Sequence, residues 1–478
     1  MMITDTQRFA EYIRLHNLPV LLVMILCAGC VNLPDADDMS QLRAQRSATR
    51  MHELSDRVTT ADSEYLEGEL QLSEAIAKAL ARNLTLRNER EELEIARGRI
   101  QQSYAEVLPK LDLVGSYLFL DEEMGASRDQ YRIGVKLIQP LLNNTAGPAM
   151  RSSRLYRLRT MESVRRAEET LHYEVIKAYY NAVLSEHLLK VNVLALETAE
   201  RQLADTQARR RQGMASNYDE LRAEVEVSNF RAQVLQARNN KDVAFTALFR
   251  LIGASPGSEV RLVDLIPPVS GEIPFETALH TALEQRADLK VAEYAVQLQR
   301  ENVAAIRNRY YPTLSGYFSQ AWANPDPHDP SRDEWGDEWQ AGLELRLSVF
   351  DGLGRSGELI QERARLRQYE IVLRDAEEQV ISEVRQLALS LKTAKEFAIS
   401  QSRNLETARE AVRLVETGMR EGQNTPVEVM DARQALTTAS ANYYRSLFDH
   451  AVTWAALKKA MGVLASDNLP GGAVAEEP

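Results

Sequence analysis

Glu428 and Asp431 stand three apart in Thr425-Pro-Val-Glu-Val-Met-Asp431. Residues three apart share a helix face, and Thr425 followed by Pro426 reads as a helix start. Like charges held close raise one another's pKa and bind cations. The same acids also suit the positive end of a helix dipole, so two roles are open for them. Other reactive residue types form no constellation. His16, His52, His172, His187, His280, His328 and His450 are scattered, with no His-Glu-x-x-His and no paired-Cys pattern. Gly352-Leu-Gly354 is a turn, and no Gly-rich phosphate loop occurs. Metal, nucleotide and enzymatic chemistry are without support, and no cofactor is expected.

The amino terminus carries a different chemistry. Leu18 to Gly29 is a short apolar run preceded by Arg8 and Arg14, so residues 1–29 read as a signal peptide. It ends Ala28-Gly29-Cys30, which resembles a bacterial lipobox, although Cys27 stands where that motif carries Leu. Cys30 is therefore the expected acylation site. Several acyl chains on one Cys suffice to hold a protein at a membrane. Both Cys of the chain lie here, which leaves no internal disulfide for the mature body. Residues 30–62 are polar and read as an extended arm. The net charge of −12 argues against a nucleic-acid partner.

The elements that must position these residues announce themselves at Glu338 to Phe350. Trp339, Ala341, Leu343, Leu345, Leu347 and Val349 alternate with Gln340, Gly342, Glu344, Arg346 and Ser348. That is a strand with one apolar and one polar face. Its length matches the ~9–11 tilted residues that cross a bilayer in a barrel.

The pattern occurs twice. Leu72-Ser-Glu-Ala-Ile-Ala-Lys-Ala-Leu80 matches Phe275-Glu-Thr-Ala-Leu-His-Thr-Ala-Leu283, and Pro109, Gly213 and Gly253 meet Pro312, Gly422 and Gly462. The first repeat spans 63–265 and the second 275–463, with a linker at 266–274 and a disordered tail at 464–478. Each repeat opens with a helix (Leu72–Val107, Phe275–Arg309) stopped by Pro109 or Pro312. An outgoing strand carries Leu111, Leu113, Tyr117 and Phe119, or Leu314, Phe318 and Trp322. Loops at 121–129 and 323–337 follow, and the return strand of the first repeat is Tyr131–Leu142. Next come helices of ~100 Å at 146–211 and 353–420. Leu373, Ala376, Val380, Val384, Leu387, Leu391, Ala394 and Ala398 mark a coiled-coil seam, as do Leu171, Val175, Ala178, Ala182 and Leu189. The chain turns at Gly213, Met214, Ala215 and Ser216, and at Gly422, Gln423, Asn424 and Thr425, then returns over 216–252 and 426–461. The fold class is mainly α with membrane β.

Four strands cannot close, and open sheet edges cannot face lipid, so closure needs several copies of the chain. The helices, charged on their outer faces, must project into water on one side. The tandem halves, the strand-turn-helix Ser348-Val-Phe-Asp-Gly-Leu-Gly-Arg355 and the hairpin tips resemble the TolC family of outer-membrane efflux proteins, from Leu70 to Gly462. The lipobox suggests the acylated branch. The resemblance implies a homotrimer with a twelve-stranded β-barrel in the outer membrane of a Gram-negative cell and a periplasmic α-helical barrel. It implies a passive exit duct for drugs and small solutes, or for proteins, driven by an inner-membrane transporter. It further implies that a periplasmic adaptor docks at the two tips, and that Glu428 and Asp431 form a carboxylate ring constricting the entrance. The competing class is a structural or adhesive coiled-coil lipoprotein without a pore, which would need no duplicated amphipathic hairpins.

Overall fold

The computed structural model describes residues 65–124, 127–267, 269 and 271–465. The chain divides into residues 1–65 and a larger unit from Leu66, and the account below concerns the larger unit. The expected signal peptide, Cys30, the arm at 30–62 and the tail from residue 466 lie outside the described residues.

Each repeat begins not with one helix but with two. In the first, α1 (Leu72–Arg82) and α2 (Leu84–Tyr104) are separated by Asn83 in an extended conformation, its side chain accepting from the Thr85 and Leu86 amides. An Asn that bonds its own local backbone competes with the helix and restarts it as a cap. The Asn83 Nδ2 also donates to the Leu251 carbonyl at 3.3 Å, which ties the break to the rest of the core. In the second repeat α5 (Phe275–Gln285) and α6 (Ala287–Asn308) break at Arg286. Its guanidinium is held by Asp288 at 2.7 Å, by Glu383 at 2.6 Å and by the Ala460 carbonyl at 3.2 Å.

Two antiparallel hairpins follow. α3 (Ala146–Arg211, 66 residues) turns back as α4 (Asn217–Ile252), and α7 (Gly354–Arg420, 67 residues) turns back as α8 (Pro426–Ala460). α3 packs against α2, α4, α6 and α8, and α7 packs against α6 and α8. Each long helix thus runs beside a shorter helix near the strands and another near the tips. The expected seam is real: Val380, Val384 and Leu391 bury against Ala278, Ala282, Leu289 and Leu457.

The main core gathers α1, α3 and α4 over a two-stranded parallel sheet, β1 (Glu67–Leu70) with β4 (Glu259–Leu262). The sequence offered no sign of this sheet, because four residues are too few to show alternation. Tyr179 is completely buried beneath it. Its hydroxyl donates to the Leu70 carbonyl at 2.8 Å and accepts from the Asp264 amide at 3.1 Å. Asp264 in turn accepts from the Leu72 amide at 2.6 Å, capping α1 from across the fold. Leu464 is buried in the same core, so the expected frayed tail does not begin there. Ile266, at the start of the expected linker, is buried with it.

Tyr179→Phe should strand the Asp264 amide and leave the Leu70 carbonyl with the Val263 amide alone, at 3.3 Å, for a cost of about 1–3 kcal/mol. Hydrogen exchange should then report lost protection at residues 67–72 and 259–264. Unchanged protection there would show that the hydroxyl does not hold the small sheet.

Candidate functional site: the amphipathic sheet and the helix tips

Four strands form one antiparallel sheet in the order β2 (Lys110–Met124), β3 (Ser127–Leu142), β5 (Thr313–Asn324), β6 (Gly336–Arg346). The register stacks the apolar residues. Leu113 faces Val135, Leu137 faces Phe318, Phe318 faces Ala341, and Leu314 faces Leu345. Leu113 and Leu343 are 77% and 70% exposed, which leaves this face uncovered within one chain. The opposite face carries Asp112, Lys136, Arg132, Ser319, Glu338 and Glu344 at alternate positions. Across it Arg132 pairs with Glu338 at 2.6 Å, reaching over β5. The middle pair, β3 with β5, joins the two repeats. Gly134 sits in that seam, where a Cβ would lie 3.0 Å from the Gln320 carbonyl oxygen and 3.2 Å from the Ala321 Cβ. β2 and β6 each have one unpaired edge among the described strands.

Two strand limits differ from those expected. β2 and β3 extend through most of the expected 121–129 loop, leaving a short connection. β6 stops at Arg346 instead of running to Phe350, because its partner β5 begins at Thr313, opposite Arg346. Pro312 precedes Thr313 and has no amide to continue the ladder.

The chain between β6 and α7 is then seized by Arg355, only 8% exposed. Its Nε donates to Asp351 at 2.7 Å, Nη1 to the Arg309 carbonyl at 3.0 Å and Nη2 to the Ser348 carbonyl at 2.6 Å, while the guanidinium lies 4.6 Å from the Tyr310 ring. Gly352 and Leu353 both take left-handed backbone, at φ 66° and 71°. Asn143 does the equivalent work after β3, accepting from the Thr145 amide at 3.1 Å and donating to Glu106 at 2.9 Å. Arg355 and Asn143 had no role assigned from sequence. The four-residue spacing of Asp351 and Arg355 was the available signal for the first.

At the far end lie the two tips. Gly213 and Gly422 take left-handed backbone at φ 75° and 77° and end the long helices. Ser216 and Thr425 start the next ones with reciprocal caps. Ser216 donates to Asp219 at 2.7 Å and accepts from its amide at 3.1 Å. The Thr425 amide donates to Glu428 at 2.7 Å, and Asn424 adds a donor at 3.2 Å. Met214 and Ala215, and Gln423 and Asn424, complete the turns. Their amides help close them: Met214 donates to the Arg209 carbonyl at 2.8 Å and Gln423 to the Gly418 carbonyl at 2.7 Å.

Glu428 is thus a helix-start residue in fact, and the Thr-x-x-Glu spacing is the sequence signature of that role. Within one chain the Glu428 carboxyl is held below its usual range by the Thr425 amide and by the side chains of Asn424 and Thr425. Asp431 lies exposed one turn further on, close enough to Glu226 of α4 for their charges to interact, so the two tips are adjacent.

A sequence profile of the outer membrane efflux protein family matches residues 75–254 and again 278–463, together most of the chain. The chain belongs to the outer membrane efflux protein family. Alkaline protease secretion protein AprF of Pseudomonas aeruginosa is 23% identical over 345 residues, 70% of each chain. Outer membrane protein TolC of Escherichia coli is 20% identical over 421 residues, 83% of each. Among solved structures, the outer-membrane channel OprN superposes with a TM-score of 0.71 at 18% identity, covering 82% of this chain and 89% of that one. CusC gives 0.71 at 18%, covering 84% and 93%. The family fold is therefore that of this chain, from the sheet to the tips. No described helix is long and apolar enough to cross a membrane.

Arg355→Ala should destabilise the strand-to-helix junction by about 1–3 kcal/mol, since it removes a buried guanidinium together with its bonds to Asp351 and to the Arg309 and Ser348 carbonyls. Leu353→Gly should move the other way by up to about 1 kcal/mol, relieving left-handed backbone at a side-chain-bearing residue. Denaturant midpoints for the two variants check both signs.

The tips should respond to acid. Asp219 is depressed chiefly by the Ser216 hydroxyl, and Glu428 chiefly by the Thr425 amide. A carboxyl depressed in the fold contributes fully above its ordinary value of about 4 and loses that contribution as pH falls through the depressed value. Hydrogen exchange at residues 423–429, corrected for intrinsic rates, should accelerate below about pH 4 in wild type. Glu428→Gln should remove that dependence at its own tip alone.

Proposed function

We propose that three copies of this chain close a twelve-stranded barrel in the outer membrane and a helical tunnel in the periplasm. In this reading the assembly is the exit duct of a tripartite efflux or secretion system. The observation that carries it is the four-stranded sheet with one uncovered apolar face and two unpaired edges. Unpaired backbone cannot face hydrocarbon, and barrels of this kind need at least eight strands. Three copies also give the cyclic symmetry that the family resemblance implies. The adhesive alternative leaves the sheet without a role. Relatives named for protease secretion and for efflux point to an exit route shared by proteins and small solutes.

In this assembly Cys30 carries the lipid anchor. The periplasmic adaptor docks on Gly213–Ser216 and Gly422–Thr425, and an inner-membrane transporter supplies the driving force. Glu428 and Asp431 recur around the axis near the narrow end. Because Glu428 is engaged by its cap, Asp431 is the carboxylate we assign to cation selection.

Native mass spectrometry in detergent should give a homotrimer, whose mass reports acylation of Cys30. A conducting monomer would overturn the closure argument. Leu345→Arg, on the apolar face, should cost about 2–4 kcal/mol if it lies near the bilayer midplane, whereas Gln340→Arg on the polar face should be close to neutral. Reversal potentials across a salt gradient should show weaker cation selectivity in Asp431→Asn at unchanged trimer yield. Equal selectivity would remove Asp431 from cation selection and confine it to a local role at the helix start.

A further inference from the structure

Near the tips the four hairpin helices line a half-open cavity of about 380 Å³. Val191 and Leu194 of α3, Phe230 of α4, Val412 of α7, and Met430 and Tyr444 of α8 supply apolar wall. The volume lies within the range of small-molecule sites, which are mostly apolar with few polar groups. Tyr444 is fixed from behind by stacking on His187 at 4.5 Å. Met430 is a flexible side chain that adapts to irregular occupants.

One wall group stands out. Glu226 of α4 lines the cavity and is only half exposed. Burial pushes its carboxyl up, Arg222 and Arg433 pull it down, and Asp431 pushes it up again. Arg433 is already committed, its Nε and Nη2 donating to Glu416 at 2.9 and 2.7 Å. Among the described residues no hydrogen bond or contact ion pair reaches the Glu226 carboxylate. Arg409, the remaining charge on the lining, is exposed and therefore screened by solvent. A half-buried carboxylate without a contact partner gains more from an incoming cation than an exposed group does. The aromatic faces of Phe230 and Tyr444 favour a cation as well.

We propose that this cavity binds an amphipathic organic cation, its charge against Glu226 and its apolar body against Phe230, Met430 and Tyr444. The residues that line the site all belong to one chain. The site is also distinct from Glu428 and Asp431 at the helix start, since it selects for apolar bulk together with charge.

Tetraphenylphosphonium and tetraphenylborate share shape and differ in sign, which makes them the probes. Binding to the purified full chain in lipid nanodiscs is measured against empty nanodiscs. The phosphonium should bind saturably at one site per chain, the borate should not, and Glu226→Gln should weaken phosphonium binding at least tenfold. Met430→Trp, which fills the cavity, should abolish it. An azide-bearing phosphonium should photolabel peptides containing Phe230 or Met430 in the wild-type protein. Equal binding of the two ions, equal binding by Glu226→Gln, or labelling confined to other peptides would overturn the proposal. The labelling arm needs no variant and holds even if the substitutions impair folding.

Discussion

Backbone amides and carbonyls cannot be left unpaired in hydrocarbon, and this constraint governs the whole molecule. A chain with four amphipathic strands has two sheet edges to hide and one apolar face to cover. Neither can be done within the chain. The long helices share the predicament. α7 exposes Ile360, Ile371, Val372 and Leu389, and α4 exposes Leu221, Val225 and Leu235. Strands and helices thus have unfinished margins, and in the proposed assembly one act of association would satisfy both. That is why a chain of this length carries so little private core, concentrated around Tyr179 and along the seam of α7 and α8.

Rigid joints connect the two parts. Arg355 and Asn143 sit where strands become helices, and both work by satisfying backbone carbonyls or amides that a chain changing direction would otherwise strand. Asn83 and Arg286 break the first helix of each repeat at matching places through different chemistry. One uses a local amide cap, the other a guanidinium bridging three elements. The geometry is common to both repeats while the side chains that enforce it have diverged.

Much of this was legible in the sequence, for reasons of length. Alternation over eleven residues and three-four spacing over more than sixty are hard to produce by accident, so β6, α3 and α7 could be read directly. Features fixed by distant partners could not. Arg286 is an ordinary helix former until Glu383, far along the chain, holds it out of the helix. β1 becomes a strand only because β4 lies beside it, and β6 ends where Pro312 ends its neighbour. The tips were recognisable from their glycines and caps. The capping role of Glu428 is written in the same way, in the Thr-x-x-Glu spacing from Thr425.

The β3–β5 seam has a consequence of its own. It is the contact between one repeat and the next, already made inside a single polypeptide, down to a glycine at Gly134 that admits the neighbouring backbone. β6 is the counterpart of β3 and β2 of β5, and Gly342 is the counterpart of Gly134. A ring of three such chains has repeat-to-repeat seams of one design, half of them covalently linked and half not. Under the proposed assembly, folding one chain would rehearse the docking of two. In the proposed ring, partner choice would be inherited from the duplication: a copy would recognise its neighbour by the rule through which its own halves recognise each other. A mutation that alters that rule in one repeat breaks the equivalence at every alternate seam.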